Sequence, residues 1–307
     1  MKTVTINPAS ADEVAAVRKP ASTSRPVADF AELVKARLTL LVLLTTAVGF
    51  YLAAPEGFEP LALFHAVFGT ALAAAGAAAL NQWWERQLDA LMHRTMRRPL
   101  PGGRMLPRDA IFVGGFLSIA GVLYLGLSCN FLSALLAAAT IAIYIFGYTP
   151  LKRVSTWNTM VGAIPGALPP MIGWAAARNE LGWSAWSLFA ILFCWQMPHF
   201  FAIAWMYRED YARAGFRMLS GSDLDGARSG KQSVLFATLL LAASSLPAVA
   251  GLTSRSWLPL GLLAGAGFLA LAIQFASKRE IPQARRLFFG SIIYLPLLLA
   301  LLVLTKI

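Results

Sequence analysis

Residues 61–100 read LALFHAVFGTALAAAGAAALNQWWERQLDALMHRTMRRPL. From Leu61 to Trp84 there is no Asp, Glu, Lys or Arg, and then Glu85, Arg86, Asp89, Arg94, Arg97 and Arg98 arrive in quick succession. A hydrocarbon core of about 30 Å needs roughly 20 apolar residues as helix. The first half of the stretch therefore crosses a membrane, and the second half leaves it. Within lipid the backbone must satisfy its own hydrogen bonds, which a helix does inside one segment.

The pattern recurs along the whole chain of 307 residues, of which 58% are hydrophobic and 13% charged; a soluble domain carries roughly a quarter charged residues. Nine spans follow, at about 38–54, 61–81, 110–127, 131–148, 159–177, 183–207, 232–252, 257–275 and 287–305. The expected fold is an all-α polytopic membrane protein, with residues 31–307 as a single transmembrane domain. Residues 1–30 read as a mostly disordered cytoplasmic tail: they lack the apolar core of a secretory signal, and Asp12, Glu13, Asp29 and Glu32 argue against a transit peptide. Connections after spans 1, 3, 5 and 7 are short, whereas those after spans 2 and 6 are long and charged. Of the 26 Lys and Arg residues, only Arg178, Arg255 and Lys306 fall on the side opposite the long loops. That asymmetry predicts an inner-membrane protein with a cytoplasmic N-terminus and an outer C-terminus. The net charge of +11 is spread over loops between apolar spans, so it does not predict a nucleic-acid partner. Cys129 and Cys194 form no metal-type or disulfide-type pattern.

Asn81, Glu85 and Asp89 are spaced i, i+4, i+8 and share one helical face. Two carboxylates and an amide over two turns form an oxygen ladder suited to Mg²⁺, which takes one or two carboxylates while phosphates and water complete its octahedron. Arg94, Arg97 and Arg98 follow, able to hold phosphate oxygens by charge-assisted hydrogen bonds. Taken alone, the segment reads equally as a solvated helix end with ordinary charge pairing. A second stretch, residues 195–219, reads WQMPHFFAIAWMYREDYARAGFRML and again leaves a span with acid and base interleaved. Tyr148 and Lys152 after span 4 are i, i+4, although Pro150 between them puts helical geometry in question. Lys152 can reach a phosphate and the Tyr148 ring can face a cation; a basic anchor beside an interfacial aromatic is the other reading.

These residues together resemble the intramembrane aromatic prenyltransferases, the UbiA superfamily. The pattern Asn81-x-x-x-Glu85-x-x-x-Asp89, the pattern Tyr148-x-x-x-Lys152 and an acidic site after span 6 carry the resemblance. Arg94-Thr95, Arg98-Pro99-Leu100, the run Tyr148 to Arg153, Gly166 to Pro170, Gly173-Trp174, Asp210-Tyr211, Ala214-Gly215 and Met218-Leu219 are similar to its haem-prenylating branch.

The resemblance implies nine helices around a central cavity, under a cytoplasmic cap made from the loops after spans 2 and 6. It also implies farnesyl diphosphate as donor, haem b as acceptor substrate, haem O as product and Mg²⁺ as cofactor. The expected metal ligands are Asn81, Glu85, Asp89 and Asp210. Lys152, Arg37, Arg94, Arg97, Arg98 and Arg153 are expected around the diphosphate, and Tyr148 beside the developing cation. His199, His93, Arg208 and Arg213 are the candidates for haem contact, His65 being a weak one. Partners beyond the substrates would be membrane lipid and a downstream haem-modifying or oxidase-assembly protein. One departure stands out: four residues after Asp210 comes Ala214, where the wider superfamily carries a second aspartate; Asp223 and Asp225 are candidates to compensate, a mobile polar loop being the other reading of that stretch. A prenyltransferase for a quinone precursor, a transporter with span 5 broken by Gly and Pro at 162–173, and a non-catalytic haem-binding or assembly protein are the competing readings.

Overall fold

The computed structural model describes residues 25–55 and 59–307. Among them are nine helices long and apolar enough to cross a membrane: Ala36–Ala53, Pro60–Asp89, Pro107–Ser128, Phe131–Leu151, Asn158–Arg178, Trp183–Met206, Ala227–Val249, Trp257–Lys278 and Ile281–Leu304. They are numbered span 1 to span 9. The tail expected over residues 1–30 lies outside the described residues as far as residue 24. From Pro26 to Leu33 the chain forms a helix. Pro26 occupies the first helical position, where its missing N–H costs nothing.

That short helix is fastened to the bundle by polar contacts. Arg104, in the loop after span 2, donates from Nε to Asp29 Oδ1 at 2.7 Å and from Nη2 to Glu32 Oε2 at 3.2 Å. The Arg104 guanidinium beside Asp29 holds its carboxyl below the usual aspartate range. Gln82 of span 2 donates to the carbonyls of Glu32 and Leu33, taking up acceptors at the helix end that have no partner within the helix.

Neighbouring spans pack closely because small residues face each other, as membrane helices require in the absence of a hydrophobic driving force between them. Span 1 lies against span 5 so tightly that a Cβ at Gly173 would run into the Thr46 carbonyl. The largest buried cluster ties span 6 to spans 7 and 9 through Leu188, Ile191, Leu240, Leu287 and Leu298. Span 5 bends at Leu168, where Pro169 and Pro170 withdraw two N–H donors from the ladder. The Gly and Pro run at 162–173 therefore gives a kink buried among neighbours, with helix on both sides of it.

The two ends of the bundle differ. At one end, Lys306 Nζ donates to the carbonyls of Tyr51 and Ala54, and Arg178 Nε donates to Ala53 O. Two of the three basic residues expected on that side thus cap the C-terminus of span 1. At the other end the loops after spans 2 and 6 meet over the bundle, in a seam of Met92, Ala204, Ala214, Phe216 and Met218. The backbone N–H of Arg217 donates to Lys152 O at 2.7 Å, which draws the loop after span 6 down onto the end of span 4. This double loop matches the cap that the resemblance implies.

Candidate functional site

Span 2 runs as uninterrupted helix to Asp89, well past the expected exit at residue 81. Asn81, Glu85 and Asp89 consequently do lie on one face, and they are buried, with exposures of 1%, 4% and 1%. A carboxylate out of water without a partner is strongly disfavoured, so each must find a positive group. Each finds a different one, from a different part of the chain.

Lys152 Nζ, just beyond span 4, donates to both Glu85 oxygens at 2.7 and 3.0 Å. Burial alone would lower the Lys152 pKa; the Glu85 carboxylate outweighs it and holds the ammonium above the ordinary lysine value. The same ammonium lies 4.5 Å from the centre of the Tyr148 ring and 5.5 Å from that of Phe216. Arg98 Nη1 donates to Asp89 Oδ2 at 2.7 Å, and Thr95 Oγ1 donates to Asp89 O. Asn81 accepts at Oδ1 from Lys35 Nζ at 2.7 Å and from the Tyr144 hydroxyl at 3.3 Å, while its Nδ2 donates to Thr149 Oγ1.

A change of helical register makes this possible. Residues Ile143–Tyr148 form a π-helical turn, followed by Thr149–Leu151 in α form. Wide turns of this kind are frequent at functional sites. Here the wide turn stacks Tyr144 on Tyr148, with ring centres 5.5 Å apart. The Lys152 N–H still bonds to Tyr148 O at 3.2 Å, so Pro150 sits within a continuous turn and Tyr148 and Lys152 share a face.

Asp210 reaches the rim from the opposite loop. It accepts from the backbone N–H groups of His93 at 3.3 Å and Arg94 at 3.4 Å, and from Arg213 Nη1 at 3.1 Å. Arg94 in turn donates to the Tyr211 hydroxyl at 3.0 Å and lies over the rings of Tyr207 and Tyr211. The two loops are thus joined by an acid from one and amides from the other.

Other expected residues lie apart from this network. The side chains of Arg37, Arg97 and Arg153 are exposed, and the ladder is served instead by Lys35, Lys152 and Arg98. His93 contributes its backbone N–H, its ring being exposed. Arg208 folds back on Trp205, donating to its carbonyl. His199 lies between the Trp195 and Phe288 rings, with Nδ1 2.6 Å from Ser291 Oγ. His65 bonds to the Tyr124 hydroxyl across spans 2 and 3. Asp223 and Asp225 have partners of their own. Asp223 accepts from the N–H groups of Arg228 and Ser229 in the first turn of span 7, and Asp225 pairs with Arg279.

Lys35 and Tyr144 are the residues that the sequence did not single out. Lys35 carries a left-handed backbone, with φ of 50°, between the short helix and span 1. That turn aims its side chain inward, away from the direction taken by Arg37. Burial, with Arg98 nearby, pushes the Lys35 ammonium down to about 7.

The donor set is all oxygen, as a hard divalent cation requires. Among the described residues no three acidic, His or Cys side chains come together as a ready metal cluster. The arrangement fits a metal held by one or two carboxylates and completed by oxygens of a phosphate ligand, and the basic groups already present match such a ligand in charge.

The profile of the UbiA prenyltransferase family matches residues 42–295. The chain is 46% identical over 287 residues to the protoheme IX farnesyltransferase of Solibacter usitatus, covering 91% of this chain and 98% of that one. It is 42% identical over 288 residues to the protoheme IX farnesyltransferase of Opitutus terrae, covering 94% and 97%. Among solved structures, digeranylgeranylglyceryl phosphate synthase superposes with a TM-score of 0.77 at 14% identity, over 91% of this chain and 98% of that one. A UbiA homolog from Archaeoglobus fulgidus bound to DMAPP and Mg²⁺ superposes with a TM-score of 0.64 at 15% identity, over 89% and 99%. At such identities the structures establish a shared fold.

Proposed function

Since the chain belongs to the UbiA prenyltransferase family, we propose that it transfers the farnesyl group of farnesyl diphosphate to a vinyl group of haem b, with addition of water, giving haem O and diphosphate. The observation that carries this reading is the buried ladder Asn81, Glu85, Asp89 paired with Lys35, Lys152 and Arg98, in a chain whose relatives of the same length are protoheme IX farnesyltransferases. Basic loops gathered at one end support a cytoplasmic N-terminus, an outer C-terminus and an inner-membrane location.

Asn81, Glu85, Asp89 and Asp210 would hold Mg²⁺ against the diphosphate. When bound, the metal supplies positive charge to phosphate oxygens as the leaving group develops its own. Lys152, Arg98 and Lys35 are the protein's cations at the same place, and stabilising charge as it forms is the main catalytic lever available to them. Arg94, held over Tyr207 and Tyr211, adds a guanidinium at the rim. Arg37, Arg97 and Arg153, exposed here, contribute to the electrostatic attraction of the anionic donor. The carbon–oxygen bond of the donor breaks with its electron pair going to diphosphate, leaving an allylic cation. The face of Tyr148, which here accommodates the Lys152 ammonium, is suited to such a cation. The terminal vinyl carbon of haem forms the new carbon–carbon bond. Water captures the cation left beside the porphyrin and loses a proton. The apolar seam between the two loops keeps bulk water from intercepting the allylic cation earlier.

For the haem, His199 offers Nε2, since Nδ1 is engaged by Ser291, and the flanking Trp195 and Phe288 rings provide flat apolar surface. Arg208 and Arg213, with His93 at the rim, are the groups available to propionates. The product would pass to a haem-modifying or oxidase-assembly protein.

The test is to incubate detergent-purified protein with haem b, farnesyl diphosphate and Mg²⁺ and to analyse the extracted haem by mass spectrometry. A farnesylated, hydrated haem that disappears with EDTA is expected. Unmodified haem would overturn the acceptor, and product formation indifferent to EDTA would overturn the metal.

A further inference from the structure

Spans 8 and 9 are joined by a tight connection at the basic end of the bundle: span 8 closes at Lys278, and span 9 opens at Ile281. Between them, on the outward face, runs an open cleft of about 790 Å³. Its walls include Leu271 of span 8 and Arg285, Arg286, Phe289, Gly290 and Ile293 of span 9. The last five fall on neighbouring turns of one helix face. Eight residues of helix separate Arg285 from Ile293, so the cleft reaches about 12 Å down from the arginines. Its floor is where the helices touch: Gly290 has no side chain, and a Cβ there would run into Leu271 Cδ1.

The two ends of the cleft differ in chemistry. Phe289 and Ile293 are 55% and 70% exposed, which for a helix facing lipid means contact with acyl chains. Arg285 and Arg286 are exposed as well, and among the described residues neither side chain has an ion-pair or hydrogen-bond partner. Nearby Arg279 is taken by Asp225 at 3.0 Å, Lys278 is exposed, and Glu280, exposed at the start of span 9, is the acid in this stretch. Positive charge therefore dominates the mouth. Two adjacent guanidiniums, each presenting a planar fork of donors, match phosphate oxygens in geometry and charge. The apolar channel directly below excludes a free inorganic anion as the full ligand, and the unpaired arginines are unsuited to an apolar partner helix.

We propose that this cleft is a binding site for an anionic phospholipid of the adjacent leaflet, its headgroup phosphate on Arg285 and Arg286 and one acyl chain along Phe289, Gly290 and Ile293. The mouth lies at the same end as the Asn81–Glu85–Asp89 ladder, but none of these residues touches it. The site is therefore separate from the one proposed for prenyl transfer and does not depend on that reaction. Basic pockets between transmembrane helices are suited to anionic headgroups, each basic side chain adding attraction near a charged surface.

The experiment is native mass spectrometry of the full chain in detergent, offered equal amounts of phosphatidylglycerol and phosphatidylcholine. Retention of the anionic lipid by about tenfold over the zwitterionic one is expected. That preference should fall towards unity in the Arg285→Gln/Arg286→Gln variant, with haem product formation unchanged. Equal retention of the two lipids by the parent protein, or an undiminished preference in the variant, would overturn the proposal. So would displacement of the lipid by farnesyl diphosphate, which would assign the cleft to the prenyl donor. A photoactivatable phosphatidylglycerol on the parent protein gives a second reading that needs no variant: cross-links at Leu271 or between Phe289 and Ile293 support the site, and cross-links confined elsewhere refute it.

Discussion

Replacing Lys152 by Met leaves the buried Glu85 carboxylate without the ammonium that now sits 2.7 Å away. Removing one partner of a buried ion pair costs about 3–5 kcal/mol, chiefly because the remaining charge is stranded. Here the lower end applies, about 3 kcal/mol, because Arg98 and Lys35 act on the same ladder and partly compensate Glu85. Glu85→Gln strands Lys152 instead. That loss is smaller, since the Lys152 side chain is 12% exposed and its ammonium still faces the Tyr148 ring at 4.5 Å. In the double variant both charges are gone and two side chains of similar volume remain, so most of the loss should be recovered, with a coupling of about 2–3 kcal/mol. Unfolding in mixed detergent micelles, followed by tryptophan fluorescence, measures all four corners of the cycle. Haem product formation is measured in parallel, and all three variants should lack it. Single variants within about 0.5 kcal/mol of the parent, or a double variant equal to the sum of the singles, would refute the buried pairing. A double variant that regained turnover along with stability would refute the assignment of Glu85 and Lys152 to the reaction.

Two further outcomes separate working residues from supporting ones. Asp223→Ala removes an acceptor from the first turn of span 7 and should cost about 1 kcal/mol of stability while leaving turnover and its dependence on Mg²⁺ concentration unchanged; a shifted metal dependence would return Asp223 to the metal site. Lys35→Met should lower turnover at least about tenfold by removing a cation from the ladder, whereas Arg37→Met stays within about twofold, and the reverse order in the same haem assay would show that the turn before span 1 presents the other residue.

The membrane fold was legible because its signal is long and redundant. A run such as 61–84 cannot be soluble helix, strand or loop, and the charge asymmetry between loops fixes how successive runs connect. What was less legible were the ends, because a helix need not stop where its apolar stretch stops. Span 2 continues to Asp89 because its last turns are buried under the cap and stabilised by contacts from span 4 and the loops. Those contacts are long-range, and composition does not report them. Pro150 shows the same limit. Local rules predict a break, yet the π turn at Ile143–Tyr148 absorbs the register change and the chain stays helical.

At the site, spacing along one helix was enough to group Asn81, Glu85 and Asp89, but their partners depend on chain direction in space. Lys35 and Arg37 are two residues apart and alike in charge. A single backbone angle at Lys35, φ of 50°, decides which of them faces inward, and no sequence pattern carries that angle. The alanine at position 214 has a comparable physical reason. Ala214 is 3% exposed and packed in the seam with Met92, Phe216 and Met218. A carboxylate there would have to be buried among apolar side chains. Asp210, four residues earlier, escapes that cost by accepting from two backbone N–H groups and Arg213. Ala214 thus closes the seam between the joined loops, and Asp210 ties them together.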